Sequence, residues 1–414
     1  MKPSILFKKS IITASLVTVT IKSDICDVFI KKSKKNTVNI EVLYKPVQGI
    51  IDFFSEQEQI GLFNFDNISQ ILDFELNKND LNTLFVGNNI PTVKIIIEIP
   101  ENSKLYVETI NSDIKMENIS VEFQMFTTNG DISILKSGHG SIASANGFVN
   151  LISIFDNFDV HTEVGNIHIK NGHGGVLNIS SKNGDIYIKN VEYQKIACKS
   201  SKGNLFAEMN DIHYDFMELF SDLGEIKLVL NNNSFNSILL NSINGDTKIS
   251  LPPKLIVNLD LKTEKGEIVA EKDSEDADEV IIDTDRFYIN FGENTPNIQV
   301  GSENGNIYIK ELDPAITQII DVEHKIIDDD WQETYQEIEI DTEPELINVY
   351  SVNNYGEYIK EFYNKIKKIL ELKRFFPKKK EKNNEAVMKI LEMVENKTIS
   401  VEEAEKLLSK IVNK

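Results

Sequence analysis

Four of the six histidines fall within 35 residues: His139, His161, His168 and His173. Histidine is a common zinc ligand. His139 in SGHGS and His173 in NGHGG occupy flexible, glycine-flanked loops that could approach one another. The spacing fixes no ligand set, and histidines beside glycine in turns account for the cluster equally well. A second row of chemistry-bearing side chains follows a repeated glycine: Asp113, Asp131, Asn166, Asp185, Asn204, Glu225, Asp246, Glu267 and Asn306. Stacked carboxylates suggest calcium, but the nine-residue G-G-x-G-x-D period of calcium-binding repeats is absent. Turn chemistry, in which Asx side chains bond nearby backbone N–H groups, explains the row. A third row, His168, Tyr187 and Phe206, recurs two places further on. It reads either as a surface platform for a partner or glycan, or as stacking that stiffens a sheet. No Ser-His-Asp arrangement, phosphate loop or H-E-x-x-H occurs. GNIHIKNGHGG opens a strand rather than a helix, so it is no nucleotide fingerprint. These residues predict no catalytic site, no cofactor and no metal.

The rows exist because one phrase recurs. TTNGDISI, TEVGNIHI, SKNGDIYI, SSKGNLFA, SDLGEIKL, SINGDTKI, KTEKGEIVA and SENGNIYI share it, with weaker copies SANGFVNL and INSDIKM. The glycine place is Ser112, Gly130, Gly147, Gly165, Gly184, Gly203, Gly224, Gly245, Gly266 and Gly305, with gaps of 18, 17, 18, 19, 19, 21, 21, 21 and 39. The last gap predicts a degenerate unit near residue 285. Asn183-Gly184 and its counterparts suit a positive φ. Two and four places after the glycine the residues are almost all apolar, while the residue between them varies. That is the signature of inward and outward strand positions. A unit of about 20 residues cannot bury its own apolar face and must stack on its neighbours. The prediction is a mostly β protein: a parallel β-solenoid with one strand per rung and about ten rungs, rising about 4.8 Å each to a rod of about 50 Å.

The 414 residues carry 44 Lys/Arg and 65 Asp/Glu, a net charge of −21. This opposes nucleic-acid binding by the repeats, since phosphate contacts need Lys and Arg. From Gly356 onward the balance reverses to 15 basic against 10 acidic residues. Cys26 and Cys198 are far apart in sequence and read as free thiols of a reducing compartment. No run reaches the roughly 20 apolar residues that span a bilayer. FKKSIITASLVTV weakly mimics a signal peptide, but it passes into VTVTIKSDICDVFIKK, which alternates as strands do. SDICDVFI echoes the repeat, with Ser23, Asp24 and Ile25 in the glycine, Asx and inward places.

Five segments follow. Residues 1–91 hold N-terminal strands and a cap or insertion, and 92–312 hold the regular repeats. Residues 313–355 are an acidic linker, with eleven acidic residues between Asp321 and Glu345. Residues 356–382 form a basic amphipathic helix whose Phe362, Ile366, Lys367, Lys368, Phe375 and Phe376 suit an anionic membrane surface or a partner. Residues 383–414 form a helical hairpin, packed through Ile390, Leu391, Val394, Leu407 and Leu408, with Ser400 and Glu403 as a capping box. Two such short helices bury too little alone and need a partner, a second copy or the rod.

The run VKIIIEIPENSKLYVETINSDIKMENIS, followed by NGDI repeats, resembles the bacterial adhesin-like β-strand-repeat family of unknown function, the DUF4097 type. EAVMKILEMVENKTISVEEAEKLLSKI looks like the short helical-hairpin (SHOCT-like) domain often found in that family. In many relatives the hairpin is N-terminal, so their domain order is no guide here. The resemblance implies a β-solenoid, no known catalysis and a link to bacterial envelope-stress or membrane-associated systems.

The function expected is therefore that of a non-enzymatic, cytoplasmic scaffold, peripheral at the inner face of the membrane. It would self-associate or dock a protein partner through its C-terminal helices. Two alternatives stand beside it. A carbohydrate-active β-helix enzyme would need acidic pairs in a cleft built by long loops, and an exported adhesin would need a cleaved N-terminus.

Overall fold

The computed structural model describes residues 3–13, 16–45, 63–77, 81, 92–210, 214–231, 235–271 and 277–312. All lie in the first of two compact units, Met1–Val349 and Tyr350–Lys414. The expected acidic linker, basic helix and hairpin lie outside the described residues, as do 46–62 and most of 78–91 of the expected N-terminal cap.

The repeats stack in parallel, with both predicted inward columns in register. Ile132 pairs with Ile114 on one side and Val149 on the other, and Ile186 with Ile167 and Leu205. These residues and their partners four places after the glycine are buried. Each rung carries two strands, not the one expected, because the residues before the glycine alternate as well. Val107, Met125, Ile142, Val160, Ile179, Cys198, Leu219 and Leu240 form their own inward column. Each rung therefore presents two apolar edges to one shared core, and burial of each large side chain contributes about 1.5–3 kcal/mol.

The strands that precede the corner form one ladder. From the N-terminal end it runs β6 (Ile71–Leu76), β2 (Val17–Ser23), β8 (Ser103–Thr109), β10 (Glu122–Asn129), β12 (Gly140–Asn146) and β14 (Phe158–Val164). It continues through the second halves of β15 (Ile167–Asn183) and β16 (Ile186–Ser200) to β18 (Tyr214–Ser221) and β20 (Phe235–Ser242). It closes with β26 (Asn297–Ser302) and then β22 (Asn258–Thr263). The strands after the corner form the second ladder: β7 (Val93–Ile99), β3 (Asp27–Lys32), β9 (Ile114–Ile119), β11 (Ile132–Ser137) and β13 (Val149–Ile152). The first halves of β15 and β16 follow, then β17 (Leu205–Met209), β19 (Ile226–Leu230), β21 (Thr247–Leu251), β27 (Ile307–Glu311) and β23 (Ile268–Ala270).

Chain order and stacking order differ at both ends. Rung 297–311 inserts between 235–251 and 258–270, and rung 17–32 inserts between 71–99 and 103–119. Antiparallel strands cover the outermost rungs. At the N-terminal end these are β4 (Thr37–Tyr44) on β7, β1 (Ser4–Ile12) on β4 and β5 (Phe63–Asp66) on β6. At the other end they are β25 (Arg286–Asn290) on β22 and β24 (Glu279–Ile282) on β25. The degenerate unit expected near residue 285 is thus this hairpin, and the long gap measures a cap plus a return into the stack. Parallel strands leave open edges, and such covering blunts them.

The expected N-terminal echo is present but three residues out of place. Val28 pairs with Ile114, so Cys26, Asp27 and Val28 hold the glycine, Asx and inward places. The period also divides. Rungs of 17 to 19 residues turn their second corner on a residue with positive φ: Asn118 (55°), Lys136 (53°), Ser153 (56°), Asn171 (57°) and Asn190 (53°). Two of the three 21-residue rungs pass instead through Met209-Asn210 and Leu230-Asn231, where the Asn231 side-chain amide donates to Asn210 Oδ1, and the third has its positive φ at Lys254 (59°).

Candidate functional site: the glycine corner and the outward faces

The glycines of the corner answer a contact between rungs. A Cβ on Gly130, Gly147, Gly184, Gly203, Gly224 or Gly245 would come under 3.0 Å from the carbonyl oxygen of the preceding rung's corner residue. Gly165 meets the Gly147 carbonyl in the same way, and among the corner glycines it alone has a φ in the positive region, at +146°. The positive φ expected at the corner belongs to the second corner.

Three polar ladders surround those glycines. The Asx row bonds upward and not within its own turn. Asp113 Oδ1 accepts from the Asp131 amide (2.8 Å), Asp131 from Phe148 (2.7 Å), Asn166 from Asp185 (2.9 Å) and Asp185 from Asn204 (2.7 Å). A second ladder lies one place before the glycine, where Asn129 donates to Asn111 (2.8 Å) and Asn146 to Asn129 (2.9 Å). The third is a column of buried hydroxyls three places before it: Thr109, Thr127, Ser144, Thr162, Ser181, Ser200, Ser221, Ser242, Thr263 and Ser302. Ser221 Oγ accepts from the Gly224 amide (2.9 Å) and donates to the Gly203 carbonyl (3.2 Å). Neither the asparagine nor the hydroxyl ladder was predicted, although the S/T-x-N-G spelling of the repeats carries both.

The outward row is joined edge to face. His168 meets Phe148 and Tyr187 with ring centroids 4.6 Å apart and planes at 78° and 73°. Tyr187 lies 6.2 Å from Phe206, and Lys227 Nζ caps Phe206 at 5.1 Å. Desolvation, with the nearby Asp185 carboxylate, raises the Tyr187 hydroxyl above the ordinary phenol range. Rings so inclined offer edges as much as faces.

The other histidines go separate ways. His173 stacks on Phe155 at 6.1 Å, His161 contacts Ser180 (2.9 Å) and Glu163 (3.2 Å), and His139 is exposed in its turn. Among the described residues no group of three His, Cys, Asp or Glu side chains could hold a metal ion. Both cysteines are buried, and burial pushes the Cys26 thiol up to about 12 and raises that of Cys198 as well. Such thiols are poor nucleophiles. The residues expected on the basic helix and hairpin, from Phe362 to Leu408, lie outside the described residues.

Two stacked strands per rung, one glycine corner and a family profile over residues 16–310 agree on the assignment. The chain belongs to the Toastrack DUF4097 family. A SHOCT-like domain matches residues 385–414. No curated protein matches the sequence. Several solved structures resemble this Toastrack chain. A "putative adhesin" from Parabacteroides distasonis ATCC 8503 is 11% identical, with 73% of this chain and 96% of that one covered and a TM-score of 0.41. A "putative adhesin" from Bacteroides fragilis NCTC 9343 is 15% identical, with 74% and 96% covered and a TM-score of 0.31. A "putative lipid binding protein" from Parabacteroides distasonis ATCC 8503 is 14% identical, with 73% and 96% covered and a TM-score of 0.33.

Proposed function

We propose that this Toastrack chain is a non-enzymatic scaffold that self-associates or docks a protein partner through its C-terminal helices. The observation that carries this reading is what the repeat does with its polar groups. Corner side chains of each kind, among them the Ser221 hydroxyl, the Asn129 amide and the Asp113 and Asp185 carboxylates, are engaged in bonds from one rung to the next. Among the described residues successive repeats from Gly130 to Gly245 join at short corners, whereas glycoside chemistry needs acidic pairs set in a cleft. A rod of this kind presents surface, and binding specificity then rests with appended segments. The basic stretch 356–382 supplies a peripheral contact with anionic lipid on the cytoplasmic side of the membrane. On this reading the protein serves envelope-stress or membrane-associated processes.

The test is the solution mass, by light scattering, of the full chain and of a version ending at Tyr355. An oligomeric full chain with a monomeric truncation supports assembly through the C-terminal segment. Two monomers remove self-association and leave partner docking, which vesicle co-sedimentation of the full chain with anionic and neutral lipids then separates from membrane binding.

A further inference from the structure

The outermost rung at the C-terminal end, 258–270, repeats the backbone, Asx-place and hydroxyl bonding of the rung it covers, while Lys265 replaces asparagine in the third ladder. Thr263 stands opposite Ser302, Ile268 opposite Ile307 and Val269 opposite Tyr308. Several bonds recur at matching places. The Asn306 amide donates to Asp246 Oδ1 (2.9 Å), and the Glu267 amide donates in the same way to Asn306 Oδ1 (2.9 Å). The Glu303 amide donates to the Ser242 carbonyl (3.2 Å), and the Glu264 amide to the Ser302 carbonyl (3.0 Å). Gly305 lies against the Gly245 carbonyl, and Gly266 against the Gly305 carbonyl. The backbone, Asx and hydroxyl groups that rung 235–251 offers to the inserted rung it can offer to rung 258–270 as well, with Lys265 meeting Asn244 in place of Asn304.

The N-terminal end lacks this equivalence. There the outermost rung places Leu76 opposite Ser23 and Lys94 opposite Asp27, where the hydroxyl and Asx ladders would continue. At the C-terminal end the connection PPKLIV, residues 252–257, spans two rung heights; Ile256 is 59% exposed, whereas Leu255 and Val257 are buried and shift with the rung as it closes. The hairpin of β24 and β25 pairs only with β22, so it would travel with that strand.

We propose that rung 297–311 is a releasable strap. It leaves its slot while rung 258–270 closes onto rung 235–251 with the same set of backbone, Asx and hydroxyl bonds. The cost is the burial of Ile298, Val300, Ile307 and Ile309, which keeps the released form a minor state. Release detaches the chain leading to residues 313–414 from the stack.

Two cysteine pairs in the full chain test this. Lys248 and Val269 share an outward column with Tyr308 between them. Two strand spacings, about 9.6 Å, exceed the disulfide reach of about 6.8 Å between Cα atoms. Closure onto rung 235–251 makes them neighbours. The pair Lys248→Cys/Tyr308→Cys reports the inserted state and should oxidise at once. The pair Lys248→Cys/Val269→Cys should oxidise slowly without denaturant, at a rate that rises with urea less steeply than global unfolding does, because release exposes the apolar surface of one rung only. Oxidation of that second pair only in step with global unfolding, or not at all, overturns the proposal. Failure of the first pair to close removes the inserted geometry on which the proposal stands.

Discussion

Gly305 rests against the carbonyl oxygen of Gly245, 60 residues back, and its own carbonyl faces Gly266. Contact of this kind, repeated at the corner glycines from Gly130 to Gly305, explains why those places admit no side chain. Gly224→Ala should cost about 3 kcal/mol or more, because the clash is with backbone that cannot rotate away. Gly175→Ala meets only the Asn157 side chain, with Oδ1 at 2.8 Å, and should cost about 1 kcal/mol or less. Urea denaturation of both variants decides, and equal losses would remove the steric account.

The hydroxyl column makes a second demand. Ser221→Ala leaves the Gly224 amide and a lone pair of the Gly203 carbonyl without their partner in a buried corner. A loss of about 1–3 kcal/mol is expected. Ser221→Thr should restore most of it, since threonine serves at Thr109, Thr127, Thr162 and Thr263. A threonine variant as weak as the alanine one would show that shape, and not the hydroxyl, matters there.

Asp113 titrates against its neighbours. Desolvation and the negative charges of Asp27 and Asp131 raise its carboxyl above the ordinary aspartate range, opposed by the Asp131 amide. A carboxyl raised on folding contributes stability below the unfolded value that is lost as pH rises through the folded one. Asp113→Asn keeps the Oδ1 acceptor and loses the charge. The variant should be more stable than the parent at neutral pH, with the difference shrinking near pH ~3. A difference independent of pH would assign the effect elsewhere.

Thiol reactivity gives a fourth check. With Cys26 pushed up to about 12 and Cys198 raised by burial, neither should react with an aromatic disulfide reagent at mildly alkaline pH in the folded chain. Both should react in urea. Fast labelling of one thiol without denaturant would expose a local opening at its rung.

The inward columns were legible because alternation at Ile167, Ile169, Ile186 and Ile188 is a local signal. The corner's polar chemistry was half legible. The Asx row stood out, but its partner is the next rung's amide, which no single repeat displays. The reason for the glycines was hidden for the same cause: Gly184 answers to the Gly165 carbonyl, 19 positions away in sequence. Stacking order was not legible at all. Thr263-Glu-Lys-Gly266 and Ser302-Glu-Asn-Gly305 spell the same rung, so the sequence says what a rung is and leaves open which neighbour it takes. The cap at 279–290 was missed because its antiparallel strands fill a gap of about two periods. The outward row His168, Tyr187 and Phe206 does come together; whether it binds anything is a separate question from its contacts.

The columns that let one rung stand in for another also make the length of the rod adjustable in whole steps. Duplicating or deleting a single unit between Gly130 and Gly245 would shift everything beyond it by about 4.8 Å and leave both faces in phase. Such a chain can act as a ruler, its graduations set by gene duplication, with the distance between its two ends open to selection independently of what either end binds.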